Sequence, residues 1–564
     1  MKYLACLLSA VSLPVVASPT PVTPIEHVIV LVGENRTFDN LFATWRPRSG
    51  ATVWNLLSRG IVQEDGSPGP NFGVANQRLA QTGGAYAAKL DTTGTYDHLP
   101  QPYAAGAFGQ RRDVPDARFP ADLPNGPFQI TKYVSNGAHT GDPIHRFFQM
   151  WQQVNGGASD LFVWTADSAG SGPDNGEDSV LAPGQARQGG VAMGFYNMAQ
   201  GDAPYLRNLA DNYAVADNYH QPIMGGTTVN YFALASADVG VYLKNGKPAK
   251  PPQNQIENPD PRPGSNNLYT ADGFQGGTYV NCSDPDAPGV AGIRKVLASL
   301  PYRPFNDGNC APGHYYMVNN LEPGFRPDGS TKPLNPDPFL LPPQTLPNIG
   351  DLLTKGGVSW KWYSGGRNDG IHVDREYCGI CDTPTFFGST MTGPDKQKLQ
   401  DLQQFYVDIK DAKHFPSVAF IAPYDSVSGH PGYAMEIGFE ELVRDVVDRV
   451  QSNPALWRKT AILVTVDEGG GYYDSGYIQF IDFFGDGTRI PLMVISPFAR
   501  KGYVDHTYYD HASILKFIER NWNLSTLSPR SRDNLPNPVA DAAHPYVPAN
   551  RPAIGDLMNM FDLP

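Results

Sequence analysis

Two short clusters in this sequence carry side chains that could do chemistry at a phosphate. Glu34 and Asn35 follow the apolar run 27–32 after Gly33, and Asp467 and Glu468 follow directly on the apolar run 461–466. Acidic residues at the tip of an apolar strand are costly unless something pairs them. A divalent cation supplies that pairing, and oxygen donors of this kind suit a hard or borderline ion such as calcium, magnesium or manganese. Three glycines, Gly469 to Gly471, follow Glu468 and let backbone approach the site closely. A third cluster runs Gly225, Gly226, Thr227, Thr228, Val229, Asn230 and continues into an apolar stretch. Glycines and a hydroxyl residue ahead of such a stretch predict a tight turn into a helix N-terminus, where free N–H groups and the helix dipole favour phosphate. A threonine there can attack phosphorus once a metal lowers its hydroxyl pKa.

Positioning these residues requires a sheet. The runs 27–32, 418–421, 461–466 and 491–495 are β-branched-rich and nearly continuous in apolar residues, which predicts parallel strands covered on both faces. Residues 439–451 carry apolar positions at helical spacing, and 513–522 do so behind Asp510, a good N-cap. Trp360 to Tyr363 reads as a further core strand. Alternating strands and helices predict an α/β fold with a mainly parallel central sheet flanked by helices. Ligands in such folds bind at the carboxyl ends of the strands, where both acidic clusters lie. Residues 60–130 and 240–345 lack periodicity and are rich in Gly, Pro, Asn and Asp; they read as loop-rich insertions in one domain spanning 18–564.

The chain has 564 residues, with 58 glycines and 52 prolines, about a fifth of the total. That exceeds average usage but stays below the level of low-complexity disorder. A formal net charge of −13 argues against a nucleic-acid binder, which normally shows a basic patch. Residues 1–17 open with Lys2, continue with an apolar stretch too short to span a bilayer, and end in small residues. They predict a signal peptide cut after Ala17 and a secreted or periplasmic protein without a transmembrane segment. Four cysteines then remain: Cys282, Cys310, Cys378 and Cys381. An even number in an exported chain suggests disulfides, and the pairs 378–381 and 282–310 are expected.

The sequence resembles the bacterial phosphoesterase family of phospholipases C and acid phosphatases, a branch of the alkaline phosphatase superfamily. The resemblance is carried, in family order, by HVIVLVGENRTFDNLF (27–42), DPIHRFFQMWQQVNGG (142–157), GGTTVN (225–230), LPNIGDLLTKGGVSWKWY (346–363), SGHP (428–431), VTVDEGGGYYD (464–474) and YDHASILKFIERNW (509–522). It implies an alkaline-phosphatase-like fold and one divalent metal held by Glu34, Asn35, Thr227, Asp467 and Glu468. It also implies Thr227 as nucleophile, His430 as a histidine of the phosphate pocket, and His145 and His314 as further site histidines. Asn35, Gly226 and Asn230 would contact the phosphate. The remaining histidines call for structural roles: His511 as a capping or supporting residue at a helix start, His98 in a loop from which it could reach the pocket, and His220 packed against the sheet.

Some positions depart from the phospholipase pattern. Gly226 and Val229 stand where two prolines are usual around the nucleophile, Gly469 and Ser475 stand where histidines are usual, and no long β-rich tail follows residue 530. These departures point to a phosphomonoesterase of acid-phosphatase type acting through a phospho-threonine. A phospholipase C cleaving phospholipid head groups is the alternative.

Overall fold

The computed structural model describes residues 19–102, 115–168, 189–261, 278–332 and 339–564. The expected signal peptide lies outside them. Eight strands form the central sheet: β1 (His27–Gly33), β2 (Ala214–Ala216), β3 (Trp360–Ser364), β4 (Leu399–Asp401), β5 (Val418–Ala422), β6 (Thr460–Val466), β7 (Leu492–Ile495) and β8 (Tyr503–Asp505). Their spatial order is β4-β3-β5-β1-β6-β7-β2-β8. β5, β1 and β6 lie at the centre, and every residue of all three is buried. This matches their continuous apolar runs, because a strand covered on both faces has no solvent side for polar residues.

One expectation needs correction. The run 491–495 does form a strand, but β7 is antiparallel to both β6 and β2. The other strands share one direction. A parallel neighbour needs a crossover to the opposite edge of the sheet, whereas the segment 467–491 contains no helix and turns the chain back from the edge where β6 ends.

The helices that bear on the site are α1 (Phe38–Phe42), α2 (Phe147–Val154), α3 (Thr227–Ser236), α4 (Glu436–Gln451) and α5 (His511–Asn521). α4 begins three residues ahead of the sequence expectation. Asp510 caps α5 as expected, its side chain accepting from the Ala512 N–H, with Ser513 closing a capping box. The loop-rich segments carry two-stranded ribbons and short helices among their described residues. They are not peripheral. Tyr279, Tyr316 and Met317 are fully buried in the same apolar core as Val28 and Ile462. Cys282 is bridged to Cys310 and Cys378 to Cys381, the two expected pairs. Among the described residues, no helix is long and apolar enough to cross a membrane.

Candidate active site

Strand register brings the two acidic clusters together. β1 and β6 pair in parallel with Gly33 opposite Val466, so Glu34 and Asn35 leave the sheet beside Asp467 and Glu468 at the same edge. The turn is tied by the Asn35 N–H donating to Asp467 Oδ1 at 3.1 Å and the Asp467 N–H donating to the Gly33 carbonyl at 3.0 Å. Asn35 adopts a left-handed backbone, φ 59°, a conformation that asparagine tolerates better than most residues. Gly470 lies against it: a Cβ there would come within 2.7 Å of Asn35 Cβ. The glycine run therefore does allow close backbone approach.

β5, on the other side of β1, leads into the loop that holds His430. The Glu34 N–H donates to the Ser428 carbonyl at 2.8 Å, and Arg36 Nη2 donates to the Gly429 carbonyl at 2.7 Å. His430 stands 5.9 Å from His145, centroid to centroid. Nδ1 of each ring faces a backbone carbonyl, Pro431 O at 2.5 Å for His430 and Pro143 O at 2.7 Å for His145. A carbonyl only accepts, so Nδ1 carries the proton in both rings and Nε2 is the basic nitrogen. His145 Nε2 lies 3.3 Å from Asn35 Nδ2 and 3.5 Å from Glu468 Oε1.

Thr227 is the first residue of α3, after the N-cap Gly226. The turn ahead of it is held by Asn230, whose Nδ2 donates to the carbonyls of Gly225 and Gly226 and whose Oδ1 accepts from the Ile223 N–H. Asn230, expected as a phosphate contact, shapes the turn ahead of Thr227, its amide protons engaged by backbone carbonyls. Gly226 is required by close packing: a Cβ there would come within 2.8 Å of Asn320 Oδ1, which itself accepts from the Thr228 N–H. The Thr227 hydroxyl acts on the Asp467 carboxylate and favours its charged form.

The other histidines separate clearly. His511 Nε2 donates to the Asp467 carbonyl at 2.8 Å, and its Nδ1 meets the Tyr219 hydroxyl, so it braces the acidic turn from behind. His220 is buried against Gly487 and Tyr508. The structure does not bring His314 to the site. Its described contacts are the Pro312 carbonyl and the Tyr316 ring, two residues to either side of it in sequence, and neither belongs to the site. His98 is exposed and bridges to Pro124.

Three residues went unnoticed in the sequence. Tyr433 donates its hydroxyl to Glu34 Oε2 at 3.0 Å and stacks on His430 at 4.3 Å between centroids. Asp142 lies 3.7 Å from His145 Nδ1, and Asn320 supports the start of α3. Asp142 is three residues ahead of His145, a spacing that could have flagged it. Tyr433 and Asn320 sit in irregular segments and carry no local signal. Because Tyr433 holds one oxygen of a candidate ligand, Tyr433→Phe, which keeps the ring stack, should weaken divalent-cation affinity by roughly 10- to 100-fold. Isothermal titration of the two proteins with Mn²⁺ checks this, and equal affinities would exclude the role.

The electrostatics of this cluster call for a cation. Burial raises the Glu34 carboxyl, and the neighbouring Asp467 and Asp425 carboxylates raise it further. Burial raises Asp467 to about 7, against the N–H donors of Asn35 and Glu468, which lower it. Asn35 Oδ1 and Asp467 Oδ2 are buried without a hydrogen-bond partner. Among the described residues, the hydrogen-bond-range contact of Glu34 Oε1 is the Cys381 Sγ at 3.1 Å, and a disulfide sulfur has no proton to donate. Unpartnered oxygens on residues that strand register brings to one edge suit a hard divalent ion; the His, Cys, Asp and Glu donor atoms that lie within 4.8 Å of one another are those of Glu34, Cys378 and Cys381 and those of Asp142, His145 and His430.

A different buried acid gives a pH test of the same region. Glu436 opens α4 near Arg36, and burial together with Glu440 raises it to about 8 while Arg36 opposes the shift. A carboxyl raised above its unfolded value stabilises the fold fully below about pH 4.5, and that contribution is lost as pH rises through about 8. Glu436→Gln should therefore gain on the native protein between pH 5 and 8, by on the order of 1–3 kcal/mol. Denaturation curves at the two pH values check the sign; a constant difference would contradict it.

Comparison with known proteins gives the family. The model of the Phosphoesterase family matches residues 25–525. Phospholipase C B of Mycobacterium tuberculosis is 24% identical over 548 residues, covering 90% of this chain and 75% of that protein. A probable acid phosphatase of Kluyveromyces lactis is 26% identical over 223 residues, covering 37% of this chain and 50% of that protein. A solved structure of an alkaline phosphatase superfamily protein from Vibrio parahaemolyticus overlaps 58% of this chain and 62% of its own, at 9% identity and a TM-score of 0.27. The family match spans the sheet and every segment that builds the site, and the chain belongs to the Phosphoesterase family, as a hydrolase of phosphoric esters.

Proposed function

We propose that the protein is an exported, metal-dependent phosphomonoesterase that works through a phosphorylated Thr227. Enclosure of the site carries the choice of monoester. Asn35, Thr227, His145, His430, Asp467 and Glu468 are all buried, whereas Tyr433 is 38% exposed. A monoester needs one exit for its organic group, and Tyr433 marks one.

Glu34, Asn35, Thr227, Asp467 and Glu468 would hold the cation, which when bound neutralises phosphoryl charge and lowers the pKa of a coordinated hydroxyl. Thr227 Oγ attacks phosphorus in line, its proton passes to the Asp467 carboxylate that the hydroxyl meets, and the bond to the leaving oxygen breaks. N–H groups at the start of α3 other than that of Thr228, which Asn320 engages, would donate to the phosphoryl oxygens. His430 Nε2, with its Nδ1 proton held on the Pro431 carbonyl, is set to carry a proton to the leaving oxygen. His145 holds the Asn35 amide in place through its Nε2. Water then hydrolyses the phospho-threonine.

A second reading is favoured by the similarity over nine-tenths of this chain to a protein named as a phospholipase C. The two separate in one experiment: initial rates on an aryl phosphomonoester, an aryl phosphodiester and phosphatidylcholine vesicles, from mildly acid to mildly alkaline pH. Faster turnover of the monoester supports the first reading. Preference for the vesicles replaces it with the second.

A further inference from the structure

The disulfide between Cys378 and Cys381 touches the candidate metal site, and no step of the proposed hydrolysis uses it. Cys381 is fully buried, with its Sγ 3.1 Å from Glu34 Oε1. Cys378 is half-buried. One carboxylate oxygen of Glu34 and the two sulfurs lie within 4.8 Å of one another, a spacing that a single cation spans. While the bridge is closed, neither sulfur is a thiolate, and the donors around Glu34 are oxygens.

We infer that Glu34, Cys378 and Cys381 form a latent site for a soft divalent cation, closed by the disulfide and opened by its reduction. The inference rests on Glu34 being a ligand of the oxygen site proposed above. The reductant would be a small dithiol. One of its thiolates attacks the Cys378 sulfur, which the half-buried position leaves within reach, and the Cys381 sulfur departs as a thiolate beside Glu34. The second thiol of the reagent then displaces Cys378, leaving the reagent as a disulfide and both protein sulfurs reduced. A thiolate released among buried carboxylates is unfavourable unless a cation pairs it. Opening and metal binding are therefore coupled, and each promotes the other by the same factor. Thiolate donors turn a preference for hard ions towards zinc or cadmium.

The probe is Cd²⁺, whose thiolate complexes absorb in the near ultraviolet, titrated into the full-length protein before and after reduction by a water-soluble phosphine, which does not compete for the metal as a dithiol would. Reduced protein should develop the thiolate–cadmium band, saturating at one ion per chain, and oxidised protein should not. Cys381→Ser should remove the band, and the double variant Cys282→Ser, Cys310→Ser should retain it. Glu34→Gln keeps both sulfurs and should weaken Cd²⁺ binding in the reduced state by tenfold or more, a readout that stands even if Cys381→Ser fails to fold. Absence of the band after reduction, its persistence in Cys381→Ser, or unchanged affinity in Glu34→Gln would each overturn the inference. Failure of the oxygen site itself would show separately, as oxidised protein that neither binds Mn²⁺ nor hydrolyses phosphate esters.

Discussion

Thr227→Ala should lower kcat/KM for an aryl phosphate by at least ~10⁴-fold, about 5 kcal/mol of transition-state stabilisation. The loss should fall on kcat, since the hydroxyl supplies the attacking atom and binds little of the substrate. The fold should survive. Asn230 and Asn320 hold the start of α3, and the N-cap Gly226 makes no side-chain capping bond that the substitution could break. Alanine is also a good residue at a helix start, so the stability change should stay within about 1 kcal/mol. Steady-state rates with a thermal melt of the same sample check both halves. An active Thr227→Ala variant would remove the nucleophile assignment.

The second large effect concerns the cation. Asp467→Asn keeps an oxygen at Oδ1 to accept from the Asn35 and Glu468 N–H groups, so the turn between β1 and β6 stays tied. It removes a charge at the centre of the acidic cluster. We expect bound metal to fall below detection by elemental analysis and kcat/KM to fall by ~10³-fold or more. Native protein at 100 times its dissociation constant for the cation should gain about 2.7 kcal/mol over the chelator-treated form. The variant should gain almost none. Without metal, Asp467→Asn should be at least as stable as the native chain, because burial beside Glu34 already disfavours the Asp467 charge. Undiminished metal in the variant would place the cation elsewhere.

Much of the fold and the meeting of the two acidic clusters was legible because one physical demand fixes both. Apolar runs long enough to be buried on both faces could only be central strands, and acidic residues at their tips could only be tolerated together. Parallel pairing of β1 with β6 then makes two clusters, distant in sequence, into one site. Direction was not legible for β7, since an apolar run reads the same in either orientation. β2, β4 and β8 were missed because three residues carry no measurable alternation. Asn230 was assigned to substrate from its place in a motif, yet its amide serves the turn. His314 was placed by alignment alone, in the segment with the weakest pattern. Tyr433 reaches Glu34 across 399 positions of sequence, and only the folded chain shows that a loop tyrosine joins a candidate ligand to a histidine. The glycine excess resolves locally: Gly226 and Gly470 are needed for close approach at the site, while the glycine- and proline-rich insertions contribute buried tyrosines to the core.

The central claim is that Thr227 carries the phosphoryl group during turnover. The most direct test is to mix native protein with an aryl phosphate, quench in acid during steady state, digest, and identify phosphopeptides by mass spectrometry. The account predicts phosphate on the peptide containing Thr227, at a substantial fraction of the protein and absent from Thr227→Ala. Robust turnover with an unmodified Thr227 peptide, or phosphate on another residue, would contradict it.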